Sequence, residues 1–287
     1  MKFKKTVKVL LSCLLAGVLF TGCGNDGGSE NKDPDSQATI IKLGMITHLN
    51  ASEKQIEEYL FKIQAQSHAK VLNHVPVFFD SLNLMLLGIE AGKVDKISTY
   101  QSVANYLLAN NDRFEIVQGD LTDGLADNFC FAVRKEDTQL KADLDKVIGE
   151  MKSDGALDKL INDYVKNVDK KNPLAIEIPK VEGAPTIKVG VTGDLPPLDY
   201  VSADGKAAGF NTALLAEIAK RLNRNVELVH IEGGARAAAL NANQIDIVFW
   251  AIVPVNNTFP ADIDKPEGLE LSVPYFRDDV THIELKN

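Results

Sequence analysis

From Ile187 to Trp250 the chain alternates between strand-like and helix-like apolar spacing, and few folds accommodate that rhythm. Ile187, Val189 and Val191 fall on one side of an extended segment, which predicts a strand with one covered face. Gly193 to Pro197 break it, and Asp204-Gly205 supplies a turn whose glycine can take positive φ. Asn211 is placed to cap a helix whose Leu214, Leu215, Ile218 and Leu222 form one apolar stripe. Val226 to Ile231 reads as the next strand, Ala235 to Leu240 as a short helix, and Ile245 to Trp250 as a third strand. This βαβαβ pattern is half of a parallel sheet, and such sheets bind ligands at the carboxyl ends of their strands.

The middle of the chain repeats the rhythm. Ile40 to Ile46 is a strand, and Asn50 with Glu53 forms a capping box for a helix from Ala51 to about Ser67. Val75 to Phe79 is a strand, and Asp80 to Gly92 is a helix that begins on a cap at Asp80-Ser81 and ends in a glycine. Val94 to Ser98 is a strand, Gln101 to Asn110 a helix and Arg113 to Val117 a strand. Gly92-Lys-Val-Asp95 echoes Asn243-Gln-Ile-Asp246, so the expectation is one architecture used twice. Asn172 to Pro185, with three prolines and little pattern, reads as a linker.

The amino terminus gives an address. Lys2, Lys4, Lys5 and Lys8 precede an apolar run from Val9 to Phe20 that is too short for a stable membrane span, so residues 1–22 read as an export signal. Phe20-Thr-Gly-Cys23 resembles a lipoprotein cleavage site, which implies acylation of Cys23, a membrane-held protein and a flexible polar tether over 23–39. Cys13 leaves with the signal, so Cys130 is the one remaining thiol, and a hydrophobic core rather than disulfides must hold the fold. With 45% apolar residues the chain can supply such a core. The net charge of −9 becomes −13 once the four signal lysines go, since that segment carries no acid. An acidic surface argues against nucleic acid or anionic lipid as a partner.

Five blocks in the last hundred residues resemble the first lobe of an extracytoplasmic solute-binding protein of the polar-amino-acid (family 3) type, which serves ABC importers. They are Val189 to Tyr200, Asp204-Gly-Lys206 with Gly209-Phe210, Ala216 to Leu222, Ala239-Leu240 with Ile245-Asp246, and Val273 to Phe276. Ala91 to Asp95, Tyr106-Leu107 and Phe129 to Lys135 resemble the second lobe, and the stripe Leu140, Leu144, Val147, Ile148, Met151 before Asp154-Gly155 resembles the family's terminal helix pair. The resemblance implies a periplasmic-binding-protein-like α/β fold: two lobes around a ligand cleft, joined by hinge strands. It also implies a circularly permuted order, with lobe two at 40–128, the return strand and helix pair at 129–170, a linker at 171–186 and lobe one at 187–287. Arg277 to Leu285 is then the second hinge strand. Two independent half-modules, or subunits that exchange lobes, are the alternative.

The implied function is capture of a small solute by lobe closure and delivery to ABC permease subunits by a lipid-anchored, outward-facing monomer. The alternatives are a sensory lipoprotein with the same binding event, or a periplasmic dehydratase-like enzyme with Asp194 or Asp199 as its acid. The family's amino-acid clamp is an arginine after the third strand of lobe one and an acidic partner in lobe two. No arginine follows Asp246 before Thr258, and Tyr100 stands in the acidic partner's place, so a plain α-amino acid lacks both partners. The candidate contacts are then Asp194, Leu198 and Tyr200 on the first loop, or else a rigid turn with Tyr200 in the core. Trp250 is either a stacking surface or a core anchor. Arg236 beside Gly233-Gly234 is an anion ligand or an ordinary exposed arginine. Thr47 and His48 stand at a strand-to-helix turn, and Tyr100 is a polar contact or a packing residue. No cofactor or catalytic motif is present; His68, His74, His230 and His282 have no metal-ligand spacing, so no metal is expected.

Overall fold

The computed structural model describes residues 39–66, 72–118, 124–170, 176–202, 205–255 and 259–286. The export signal, Cys23, most of the tether, Ser67, His68 and Asp204 lie outside them. Residues 38–287 form one unit by their contacts.

The first lobe in chain order is built from β1 (Thr39–Ile46), α1 (Glu53–Gln66), β2 (Leu72–Phe79), α2 (Leu82–Glu90), β3 (Lys96–Tyr100), α3 (Gln101–Asn110) and β4 (Phe114–Ile116). β1 pairs in parallel with both β2 and β3. α2 buries Leu82, Met85, Gly88 and Ile89, the i, i+3, i+6, i+7 stripe of a helix lying on a sheet. β5 (Ala126–Arg134) then leaves this lobe, buried along almost its whole length, so it shows no alternation in its apolar pattern.

After β5 come α4 (Thr138–Ser153), α5 (Ala156–Ile161) and one π-helical turn (Asn162–Lys166). Leu144, Val147, Ile148 and Met151 form the buried stripe of α4. The second lobe follows: β6 (Thr186–Val191), the short strands β7 (Asp194–Leu195), β8 (Asp199–Val201) and β9 (Ala207–Ala208), then α6 (Phe210–Leu222) and β10 (Asn225–His230). A 3-10 turn at Gly233–Ala235 leads into α7 (Arg236–Asn241), and β11 (Ile247–Pro254), β12 (Leu269–Leu271) and β13 (Phe276–Leu285) complete the chain. α4 and α5 pack on α6. Asn225 ties the approach to β6 down, accepting from Val181 N–H and donating to the Val181 and Ala184 carbonyls.

The two lobes share one strand order. The first reads β2-β1-β3-β13-β4 and the second β10-β6-β11-β5-β12. In each, three parallel strands are followed by one antiparallel strand, with a short fifth strand beyond it. β5 and β13 are those antiparallel strands, and they pair with each other from Phe129–Phe276 to Ala126–Asp279 where they cross between lobes. Two neighbouring chain crossings at one place form a hinge geometry.

Several local expectations shift, each because a distant group competes. The α1 cap is Ser52 with Gln55 rather than Asn50 with Glu53. Asn50 instead donates to the Asp262 carbonyl, and the Glu53 carboxylate accepts from Phe78 N–H. α6 starts from Gly209 at φ 98°, not from Asn211, whose N–H goes to the Leu198 carbonyl. A side chain at Gly209 would meet the Pro197 and Leu198 carbonyl oxygens at 2.6 Å, so only glycine fits there. The α2 cap is Ser81, which leaves Asp80 for another task.

Candidate functional site

The loops that follow β1 and β2 meet the loops that follow β6, β10 and β11, and aspartates join them. Asp80, after β2, accepts from Gly234 N–H at 2.9 Å through its carboxylate and from Gly233 N–H at 3.0 Å through its carbonyl. Asp194, after β6, accepts from Asn83 N–H at 2.9 Å in the first turn of α2. Asp264, between β11 and β12, has no solvent exposure and accepts from Leu49 N–H at 2.7 Å and Ile252 N–H at 2.9 Å. His48 Nδ1 lies 3.1 Å from the same carboxylate. Helix starts and strand ends present unpaired amides with partial positive charge, and a carboxylate is their natural acceptor.

Arg236 completes the joint. It is 1% exposed, and its Nε, Nη1 and Nη2 donate to the carbonyls of Gly233, Trp250 and Thr47 at 3.0, 2.9 and 2.7 Å. Its guanidinium stacks on the Trp250 ring, 4.4 Å from the centroid. Burial lowers its proton affinity, and Asp264, Tyr100 and Asp80 work against that loss. Burial pushes Asp264 up, but His48, Arg236 and the Leu49 amide outweigh it and hold the carboxyl below the usual range.

Between the joined loops and the crossing strands lies a cavity of about 80 Å³. Residues of the first lobe in chain order such as Met45 and Tyr100, crossing-strand residues such as Asp127, and residues of the second lobe such as Trp250 and Ile252 all line it. Tyr100 donates from its hydroxyl to Asp127 at 3.0 Å. Burial pushes Asp127 up to about 6 against the opposing pull of Tyr100 and His48, with Asp264 and Asp278 adding to the rise. Most of the wall is aliphatic or aromatic.

The eight candidate residues fall into three groups. His48, Tyr100 and Trp250 line the cavity. Thr47, Asp194 and Arg236 lie outside its lining and are spent on the joint; the Thr47 hydroxyl donates to the Phe79 carbonyl at 3.1 Å. An anion-binding or merely exposed Arg236 therefore gives way to a buried tie between lobes. Leu198 and Tyr200 are buried around β8, with Tyr200 5.9 Å from Tyr106. Asp199, also buried there, accepts from Thr192 and Gly193 N–H at 3.0 Å, and burial raises it to about 6.

Asp80, Asp127 and Asp264 were missed. Asp127 sits in Leu125-Ala-Asp-Asn-Phe129 as the second residue of β5, ahead of the apolar run that starts at Phe129. Asp264 has no local signal at all in the polar stretch around it. Cys130 is buried and its thiol is pushed up to about 12 by burial, which makes it inert packing. Among the described residues no cluster of three His, Cys, Asp or Glu side chains is arranged to hold a metal.

The buried carboxyls set a pH dependence. Asp127 and Asp199 bind protons more tightly folded than unfolded, since their folded values near 6 exceed the ordinary value of 3.8. Stability is therefore higher at low pH in this window and falls as pH rises from about 4 to about 6, by on the order of 2 kcal/mol. The Tm is expected to be several degrees higher at pH 5 than at pH 7.5, and Asp127→Asn should remove part of the difference. A Tm that rises steadily from pH 4.5 to 7 contradicts this.

Over 96 residues the chain is 28% identical to the L-cystine-binding protein TcyJ of Escherichia coli, covering 33% of this chain and 34% of that protein. It thus spans about a third of the length of the curated relatives it matches. A zinc-bound ligand-binding component of an ABC-type import system from Staphylococcus aureus aligns with 12% identity and a TM-score of 0.42, over 86% of this chain and 66% of that one. The methionine-binding protein MetQ aligns with 14% identity and a TM-score of 0.40, over 86% and 83%. The informative match is to binding proteins, not enzymes, and it falls on the lobe that contributes Asp194, Arg236 and Trp250: residues 187–255 match the model of the bacterial extracellular solute-binding proteins, family 3.

Proposed function

We propose that this chain is a non-catalytic receptor that captures a small solute between its two lobes outside the membrane and passes it to the permease of an ABC importer. The observation that carries the reading is the cavity lined from both lobes beside a pair of crossing strands, with loops from both sides in contact around it. A solute held there touches both lobes, so its binding free energy favours their closed arrangement. In this reading residues 1–22 are an export signal, Cys23 carries the lipid anchor, and the lobes stand in permuted order relative to the family. The curated relative is named for L-cystine. No arginine follows β11 before Thr258, so the proposal here is a small solute and not that amino acid.

The test is a thermal-shift screen of amino acids, organic acids, amines, amides and peptides. A solute at 100 times its Kd adds about 2.7 kcal/mol, worth roughly 5–10 °C in a domain of this size. Gly233→Ala probes closure. A Cβ there would meet the Asp80 carbonyl oxygen at 2.8 Å, a backbone atom that cannot swing aside, so the lobes must part. The variant is expected to bind the same solute about tenfold more weakly. Unchanged affinity removes lobe contact from the mechanism, and Cys23→Ala that stays in the membrane fraction removes the anchor.

A further inference from the structure

Two polar groups stand out in a mostly apolar cavity. Trp250 is 5% exposed, and its indole Nε1–H has no hydrogen-bond acceptor among the described residues. A buried donor left unpaired costs about 1–3 kcal/mol, so it is the strongest unmet demand in the cavity wall. Asp127, 8% exposed, already accepts from the Tyr100 hydroxyl.

Charge decides what can meet that demand. Among the described residues no lysine or arginine lines the cavity. The nearby guanidinium of Arg236 gives all three nitrogens to backbone carbonyls, and the Asn83 amide at the start of α2 is taken by Asp194. A ligand carboxylate would therefore be buried beside Asp127, within the influence of Asp264, with no lysine or arginine to receive it and with His48 already held by Asp264. An ammonium suits Asp127 but offers no acceptor to Trp250.

From this geometry we infer that the cavity takes a small uncharged molecule with an apolar body and one hydrogen-bond acceptor, received by Trp250 Nε1–H, and that it rejects carboxylates. The inference rests on the receptor reading and narrows its ligand. A cavity of about 80 Å³ favours a compact, branched body over a long one.

The test uses three probes of one shape: isobutyramide, isobutyrate and isobutylamine, titrated at pH 7.5. Trp250 is the chain's one tryptophan, so its fluorescence reports the contact directly. Isobutyramide is expected to bind and shift the emission, with isobutyrate at least tenfold weaker. Trp250→Phe keeps the ring, removes the donor and should weaken isobutyramide about tenfold. Asp127→Asn gives an independent arm, since removing the carboxylate should narrow the gap between isobutyrate and isobutyramide about tenfold. Tightest binding by isobutyrate, or amide affinity untouched by Trp250→Phe, overturns the inference. Stabilisation by solutes of the wider screen with none from isobutyramide overturns it while leaving the receptor intact; no stabilisation by any solute overturns both.

Discussion

Asp264→Ala is expected to lower the stability of the fold by about 3–5 kcal/mol, a fall of roughly 10 °C in Tm. The carboxylate is fully buried, and its removal strands the Leu49 and Ile252 amides without an acceptor. It also removes an anion that supports His48 and the buried Arg236. Asp264→Asn restores the volume but places an NH2 against an N–H, so it should recover little. Because the folded Asp264 titrates below its ordinary range, its contribution is fully present above about pH 4 and is lost as pH falls through the lower folded value. The deficit of the variant should therefore shrink in strong acid, opposite in sense to the loss set by Asp127 and Asp199. Equilibrium unfolding in urea at pH 7 and at pH 3 separates the two. A loss under 1 kcal/mol at pH 7 would mean that water replaces the carboxylate.

Asp80, Asp194 and Asp264 solve one problem three times. Parallel strands that end together leave their following turns and helix starts rich in unpaired N–H groups. In a cleft between two such lobes, those amides lie opposite each other. Here each lobe supplies carboxylates that the other lobe's amides receive: Asp194 and Asp264 from one side, Asp80 from the other. The joint is hydrogen-bonded at its loops and apolar at its centre. A molecule held at that centre would meet apolar side chains and Trp250 rather than anion-seeking amides, which are already occupied.

The elements themselves were legible because their causes are local. Ile187, Val189 and Val191 alternate, and Leu144, Val147, Ile148 and Met151 recur at helical spacing, whatever the rest of the chain does. Capping was legible only in part. Asn50 with Glu53 and Ser52 with Gln55 both satisfy the local rule, and the choice between them is made by Asp262 and Phe78, far away in sequence. The candidate site was less legible still. His48, Tyr100 and Trp250 follow from where strands end, but the partners that fix them do not. His48 and Asp264 are 216 residues apart, and no spacing rule reaches so far. For Arg236, a guanidinium beside two glycines at a helix start permits both an anion ligand and an exposed side chain. Only the approach of Thr47 and Trp250 turns it inward.

Arg236→Ala should cost about as much as Asp264→Ala, about 3–5 kcal/mol, for a different reason. Three carbonyls, those of Gly233, Trp250 and Thr47, lose their shared donor, and Trp250 loses the cation packed on its face. Arg236→Lys should rescue little, because one ammonium cannot present a planar fork to three acceptors at once. The two sites are coupled: with Arg236 gone, Asp264 loses a cation that holds it ionised, and with Asp264 gone, Arg236 is a buried charge with less compensation. The double variant is therefore expected to fall short of the summed single losses by at least about 1 kcal/mol, the mark of charges in one network. Circular dichroism melts of the four proteins in a mutant cycle measure this. Strict additivity would show that Arg236 acts only through its carbonyls and that its charge plays no part in joining the lobes.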